Sequence, residues 1–169
     1  MEPLFTTSTD YTLEEYQKIV RIVQNKILKR PLVLFILIAS VLLLAFLCDD
    51  VSMRIGLILG CILVIPVLLL LDRWRIKKSY SQNRQLQGLH ADFFFYPDYM
   101  ESKSELGNSK IPYQKIFRIL ETPTNFYLML AKTQGLIVIK SNCSDELISF
   151  LQNLSDKIKQ KARNNLFYS

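Results

Sequence analysis

Residues 31–71 read PLVLFILIASVLLLAFLC (31–48), DDVSMR (49–54) and IGLILGCILVIPVLLLL (55–71). Two apolar runs of 18 and 17 residues thus flank a six-residue polar break. At a rise of about 1.5 Å per residue, helices of that length just cross a hydrocarbon core about 30 Å thick. Both runs are apolar on every face. A chain of 169 residues has too little other protein to cover two such helices, so the sequence predicts a transmembrane helical hairpin. Neither run holds an ionisable side chain, which is the usual mark of a transport route or proton relay.

Charge around the hairpin predicts its orientation. The chain carries a net +6, with 21 basic and 15 acidic side chains. Most of the excess sits in residues 72–88, where Arg73, Arg75, Lys77, Lys78 and Arg84 face only Asp72. Lys26, Lys29 and Arg30 precede the first run, and the break between the runs is net negative. Lys and Arg beside a span favour the cytoplasmic side. The reading is a multi-pass protein of the plasma membrane with both termini in the cytoplasm and a tight loop outside. Trp74 stands where an interfacial aromatic anchor belongs. RWRIKK (73–78) is a topology determinant on this reading, not a nucleic-acid contact.

The predicted organisation has four parts: an N-terminal region 1–30, the hairpin 31–71 (spans 31–48 and 55–71), a basic junction 72–88, and a cytoplasmic α+β domain 89–165. Residues 1–10 read as polar, extended chain. Thr12 opens a capping box with Glu15. Leu13, Tyr16, Val20, Val23 and Ile27 then share one helical face, which packs on the soluble domain or lies in the membrane interface. Pro31 marks a kink before the first span. Gly56 and Gly60 form a small-xxx-small pair, for packing within the hairpin or for a homodimer. The junction reads as a continuation of the second span ending near Gly88.

Beyond Gly88 the periodicity shortens. HADFFFYP, YMESKSEL, IFRILE, FYLMLAK and LIVIK read as five strands separated by turns at Pro97-Asp98, Gly107-Asn108, Thr122 to Asn125 and Thr133 to Gly135. This is an antiparallel meander or a partial barrel. A helix capped by Ser144 follows, with Asp145 and Glu146 in its first turn and Lys157, Lys159, Lys161 and Arg163 in its last. Its apolar face is Leu147, Phe150, Leu151, Leu154 and Ile158, which must cover the sheet.

No catalytic signature is present, so the chain is read as no enzyme, with no cofactor and no metal. His90 is the single histidine. The three cysteines, Cys48, Cys61 and Cys143, have neither disulfide nor metal spacing. No phosphate-binding glycine loop or zinc-binding helix motif occurs. Lys110, Lys115, Arg118, Lys132 and Lys140 are the basic groups of the sheet; nearly equal acids favour reading them as scattered solubilising charges, and in the alternative some converge to grip an anionic headgroup or a peptide carboxylate.

DYTLEEY before the hairpin, FFFYPDYMESKSELGNSKIPYQKIFRILET with its central IPY, the following FYLML and the capped last helix together resemble the YcxB-like family of small bacterial membrane proteins. The resemblance implies a soluble domain similar to bacterial pleckstrin-homology-like (PH-like) modules, in which strands curve into a partial barrel plugged by a helix. Such a fold has seven strands where five are read, and the other two are expected in residues 80–90 or by division of 99–121. It implies no reaction. The expected function is a membrane-anchored binding module, an accessory or regulatory subunit that engages a protein partner through its cytoplasmic domain. The alternative is a sensor of anionic lipid. Candidate contacts for either are Arg73, Trp74, Arg75, Lys77 and Lys78 in the junction, with Lys115 and Arg118 in the sheet.

Overall fold

The computed structural model describes residues 2–167, with side chains described through 161 and at 163. The chain divides into two compact units, one of Met1–Ile19 with Arg84–Ser169 and one of Val20–Asn83.

The second unit holds the hairpin. Helix α2 (Arg30–Leu47) and helix α3 (Val51–Gln82) are joined by three residues, a shorter connection than the polar break suggested. Asp50 caps α3, its carboxylate accepting from the Ser52 N–H at 2.8 Å, and Arg54 donates to the Cys48 carbonyl at 2.6 Å. At the opposite end Arg30 and Asp72 pair at 2.8 Å. Helix α3 runs unbroken through Pro66 and past the apolar run to Gln82. Both helices are long and apolar enough to cross a membrane. Their side chains stand outward, as Phe46 (79% exposed) and Leu63 (67%) illustrate.

The entry to α2 departs from the expected kink at Pro31. Helix α1 (Leu13–Ile22) passes into a π-helical turn, Val23–Ile27, in which the Leu28 N–H reaches the Val23 carbonyl. Lys29 then takes φ +49°, a left-handed conformation unusual for a side chain with a Cβ. Lys29 therefore redirects the chain. Pro31 sits in the first turn of α2, where its missing N–H has no helical partner to lose.

Among the described residues the first unit is built on seven strands. Strands β1 (Phe5–Asp10), β2 (His90–Phe95), β3 (Tyr99–Ser104) and β4 (Gly107–Pro112) form one antiparallel sheet in that order. Strands β5 (Arg118–Glu121), β6 (Asn125–Met129) and β7 (Gly135–Ile139) form a second. A 3-10 turn at Tyr113–Lys115 connects them. Among the described residues no ladder closes the two sheets into one barrel.

Two of the seven strands lie beyond the five read from the sequence, one by the expected division of 99–121 and one outside both expected places. Strand β4 comes from division of 99–121: the turn lies at Glu105-Leu106, and Gly107, at φ +126°, is already the first residue of the strand. Strand β1 lies in the segment read as extended chain, and its partner is β2, with Thr7 opposite Phe93 and Thr9 opposite Ala91. Its inward positions are Thr7 and Thr9, both buried, so its alternation is invisible to hydropathy. Threonine suits a strand because it is β-branched. The boundary drawn at residue 30 therefore cut a strand and a helix start away from the unit to which they belong.

Phe93, Phe95 and Met100 from the first sheet, and Phe126, Leu128, Ile137 and Val138 from the second, are fully buried. Helix α4 (Asp145–Phe167) covers them as expected, with Leu147 and Leu151 fully buried. Phe150 packs its ring against Phe5, Phe95 and Tyr113, with centroids at 5.5, 6.4 and 5.9 Å. Ser144 caps the helix, accepting from the Leu147 N–H at 3.3 Å. The helix continues to Phe167, so Lys157, Lys159 and Lys161 lie within it and not in its last turn.

Candidate functional site

Helix α3 distributes the junction residues around its axis at about 100° per residue, so RWRIKK does not form one patch. Ile76 is buried, while Arg73, Trp74, Arg75, Lys77 and Lys78 are exposed. Trp74 and Lys78 are one turn apart and pair, with the ammonium 4.7 Å from the ring centroid. Arg73 leaves this group. It lines a pocket of about 360 Å³ together with Arg21, Arg30 and Asp72. Arg21 and Arg30 belong to no motif in the sequence.

In the sheet unit, Lys115 sits in the 3-10 turn and Arg118 opens β5, its guanidinium 5.8 Å from the Phe117 ring centroid. Both flank a cleft of about 300 Å³ without lining it. The cleft is lined by Tyr113, Gln114, Ile116 and Phe117 on one side and by Lys157, Ile158 and Lys161 of α4 on the other. Tyr113 anchors it from below, donating its hydroxyl to the Tyr96 carbonyl at 2.7 Å, and burial holds that phenol well above its ordinary pKa. Phe117 stays 45% exposed. The cations on the cleft are thus Lys157 and Lys161, whose place in the sequence suggests only a match to the helix dipole.

The other sheet lysines do not converge. Lys140 pairs with Glu121 at 2.6 Å, and Lys110 lies 3.6 Å from the Tyr99 ring centroid. Gly56 and Gly60 are not filled by α2: a Cβ at either position meets nothing within 4 Å. They border an apolar groove of about 370 Å³ with Leu37, Ile38 and Val41. This corrects the expectation that the glycines pack the hairpin together.

Two polar groups of the sheet unit escaped the sequence. The Glu15 backbone N–H donates to the Thr12 hydroxyl oxygen at 3.3 Å, which is half of a capping box. The other half is missing, because the Glu15 carboxylate turns inward to accept from the Asn125 side-chain amide on β6 and from Lys18 at 2.8 Å. Glu15 is 8% exposed and Asn125 fully buried. Hydrogen bonds to Glu14 and Glu15 raise the Lys18 pKa strongly. His90 opens β2 opposite Asp10, with Nδ1 2.6 Å from the Asp10 carboxylate and Nε2 3.3 Å from Asp92. The hydrogen bond to Asp10 raises the imidazole pKa. Among the described residues no group of three or more His, Cys, Asp or Glu side chains gathers into a metal site.

Two apolar helices in a hairpin, and two antiparallel sheets closed by a C-terminal helix, define the class of protein. Within it, residues 95–155 match the family model described as YcxB-like protein. The match runs from the last residue of β2 through about the first half of α4. No curated protein and no solved structure matches the chain.

Proposed function

We propose that the protein is a non-enzymatic module anchored in the plasma membrane, an accessory or regulatory subunit that docks an acidic segment of a partner protein. The observation that carries this is the cleft between Tyr113–Phe117 and α4. It combines exposed apolar surface at Phe117 with Lys157 and Lys161 on its wall and Lys115 and Arg118 beside it. Such a surface suits a segment with one apolar anchor flanked by carboxylates, because the anchor supplies burial and the charges supply register. The four-plus-three arrangement of strands under α4 supports a partly open PH-like barrel. Charge at the hairpin ends supports two spans with both termini in the cytoplasm.

A photoreactive residue in place of Gln114, in the full chain in native membranes, tests the docking reading. The expected result is one discrete adduct whose crosslinked peptide is acidic, lost when Lys157→Glu and Lys161→Glu are combined. No adduct, or an adduct indifferent to that charge reversal, contradicts it.

The open groove over Gly56 and Gly60 supports pairing of two copies through their hairpins. Cys61 borders the groove, so mild oxidation should join two chains at Cys61, and Gly60→Ile should prevent it. Oxidised monomer only would remove the dimer.

A further inference from the structure

We infer that the pocket at the base of the hairpin is a binding site for the phosphate headgroup of an anionic lipid. The site lies wholly within the hairpin unit, and it stands whether or not the cleft docks a partner. Three helical segments build it, two of them adjacent in sequence and the third some forty residues on. Arg21 comes from the end of α1, Arg30 from the first turn of α2, and Arg73 from α3 just past the second apolar run. One carboxylate, Asp72, faces these three guanidinium groups, and its 2.8 Å pair with Arg30 leaves positive charge in excess. Guanidinium groups present planar forks of N–H donors that match phosphate oxygens two at a time.

Of the remaining walls, Pro31 and Ile76 put apolar surface beside the arginines. Gln24 and Asn25, from the π-helical turn, add amide groups on the polar side. Leu34 and Leu69, one from each apolar run, lie on the other. Leu34 also borders the apolar groove between α2 and α3. A ligand placed here therefore meets charge at one end and hydrocarbon at the other. This combination selects a phosphate carried on acyl chains over a free one. Basic pockets between spans on the cytoplasmic side are suited to such headgroups.

The backbone is shaped for the same purpose. The π-helical turn carries Gln24 and Asn25, and Lys29 at φ +49° redirects the chain so that Arg30 and Arg21 share one pocket. A regular helix through 22–33 would bring no such reversal. π-Turns and left-handed non-glycine residues are found where function maintains them.

The test is native mass spectrometry of the full chain in neutral detergent, titrated with phosphatidylglycerol, with phosphatidylcholine and with inorganic phosphate. One phosphatidylglycerol should bind per chain. Phosphatidylcholine should bind at least about tenfold more weakly, and millimolar inorganic phosphate should not displace the lipid. Arg21→Gln and Arg73→Gln should each weaken binding about fivefold, the loss of one basic contact at an anionic surface. Arg75→Gln and Lys77→Gln, on the same junction but outside the pocket, should change it less than about twofold by the same measure. Arg73→Lys keeps the charge and loses the fork, so it should also weaken binding. Equal losses from Arg75→Gln and Arg73→Gln would mean diffuse attraction to basic charge and would overturn the site. Equal binding of phosphatidylcholine, or displacement by inorganic phosphate, would overturn the lipid assignment. Should Arg73→Gln fail to insert, Arg21→Gln lies outside the apolar runs and decides the matter alone.

Discussion

The hairpin and the sheet unit use the same apolar side chains in opposite ways. In the sheet unit Phe93, Phe95, Phe126 and Leu151 have no exposed surface, whereas Phe46 and Leu63 in the hairpin are mostly exposed. Burying a large apolar side chain contributes about 1.5–3 kcal/mol. The sheet unit draws that contribution from its own core. The hairpin, whose helices are long and apolar enough to cross a membrane, buries almost none of its apolar surface on itself. Substitutions of equal chemistry should therefore differ in effect by unit, and this contrast can be broken or sharpened by experiment.

The largest effect should come from removing residues 2–12. The loss exposes the β2 edge and removes the cover of Thr7, Thr9 and Phe5. Its cost should approach the whole stability of a small domain, about 5–15 kcal/mol. A chain lacking these residues, like a fragment of residues 80–165, should lose protease resistance in the sheet unit while the full chain keeps it. If the fragment proves equally resistant, β1 is an accessory strand and the contrast weakens.

Next in size, Leu151→Ala should destabilise the sheet unit by about 2–5 kcal/mol, measured by denaturant unfolding. Phe46→Ala in the hairpin should leave that transition where it is. Equal shifts would show that the two units do not differ in what buries their apolar surface.

Asn125→Ala should cost about 1–3 kcal/mol, because the Glu15 carboxylate stays buried and loses its amide donor. A double-mutant cycle of Glu15→Gln with Asn125→Ala isolates the pair, and additive losses would mean that the two do not cooperate.

The smallest effect is a pH dependence. The folded His90 pKa is raised by Asp10, above an unfolded value of about 6.5. A raised folded pKa means that the protonated imidazole stabilises the fold. That contribution is complete below the unfolded value and is lost as pH rises through the folded one. Melting of the sheet unit should fall slightly on going from pH 6 to pH 9, and His90→Asn should flatten this trend. A rise with pH in that window would reverse the assignment.

Legibility followed the nature of each signal. The hairpin, β6 and α4 were readable because their apolar residues are many and correctly spaced for the period of each element. Strand β1 was not, because its inward side chains are threonines, and the partner of one of them lies far along the chain: the Thr7 hydroxyl donates to the Asn142 carbonyl at 2.9 Å. Strand β4 carries one buried side chain, Ile111, so it has almost no alternation to detect. The capping box at Thr12 was half right, since Asn125 competes for the Glu15 carboxylate across the fold. The site residues divide likewise. Arg73 was legible as junction charge, but its grouping with Arg21 and Arg30 depends on the π-helical turn and Lys29, which no periodicity announces. Lys157 and Lys161 were legible as helix charges, and only the 3-10 turn at Tyr113–Lys115 makes them the wall of a cleft.

The central claim is that the hairpin crosses the membrane and keeps the sheet unit inside. Cys143 is a poor reporter, since burial raises its pKa and it is bonded to Thr7, at 3.6 Å. Single cysteines at the exposed positions 49 and 108, Asp49→Cys and Asn108→Cys, in a chain with its native cysteines replaced, report directly. The account predicts that an impermeant maleimide labels Asp49→Cys on intact cells and Asn108→Cys only after the cells are opened. Labelling of Asn108→Cys on intact cells, or protection of Asp49→Cys, would contradict it.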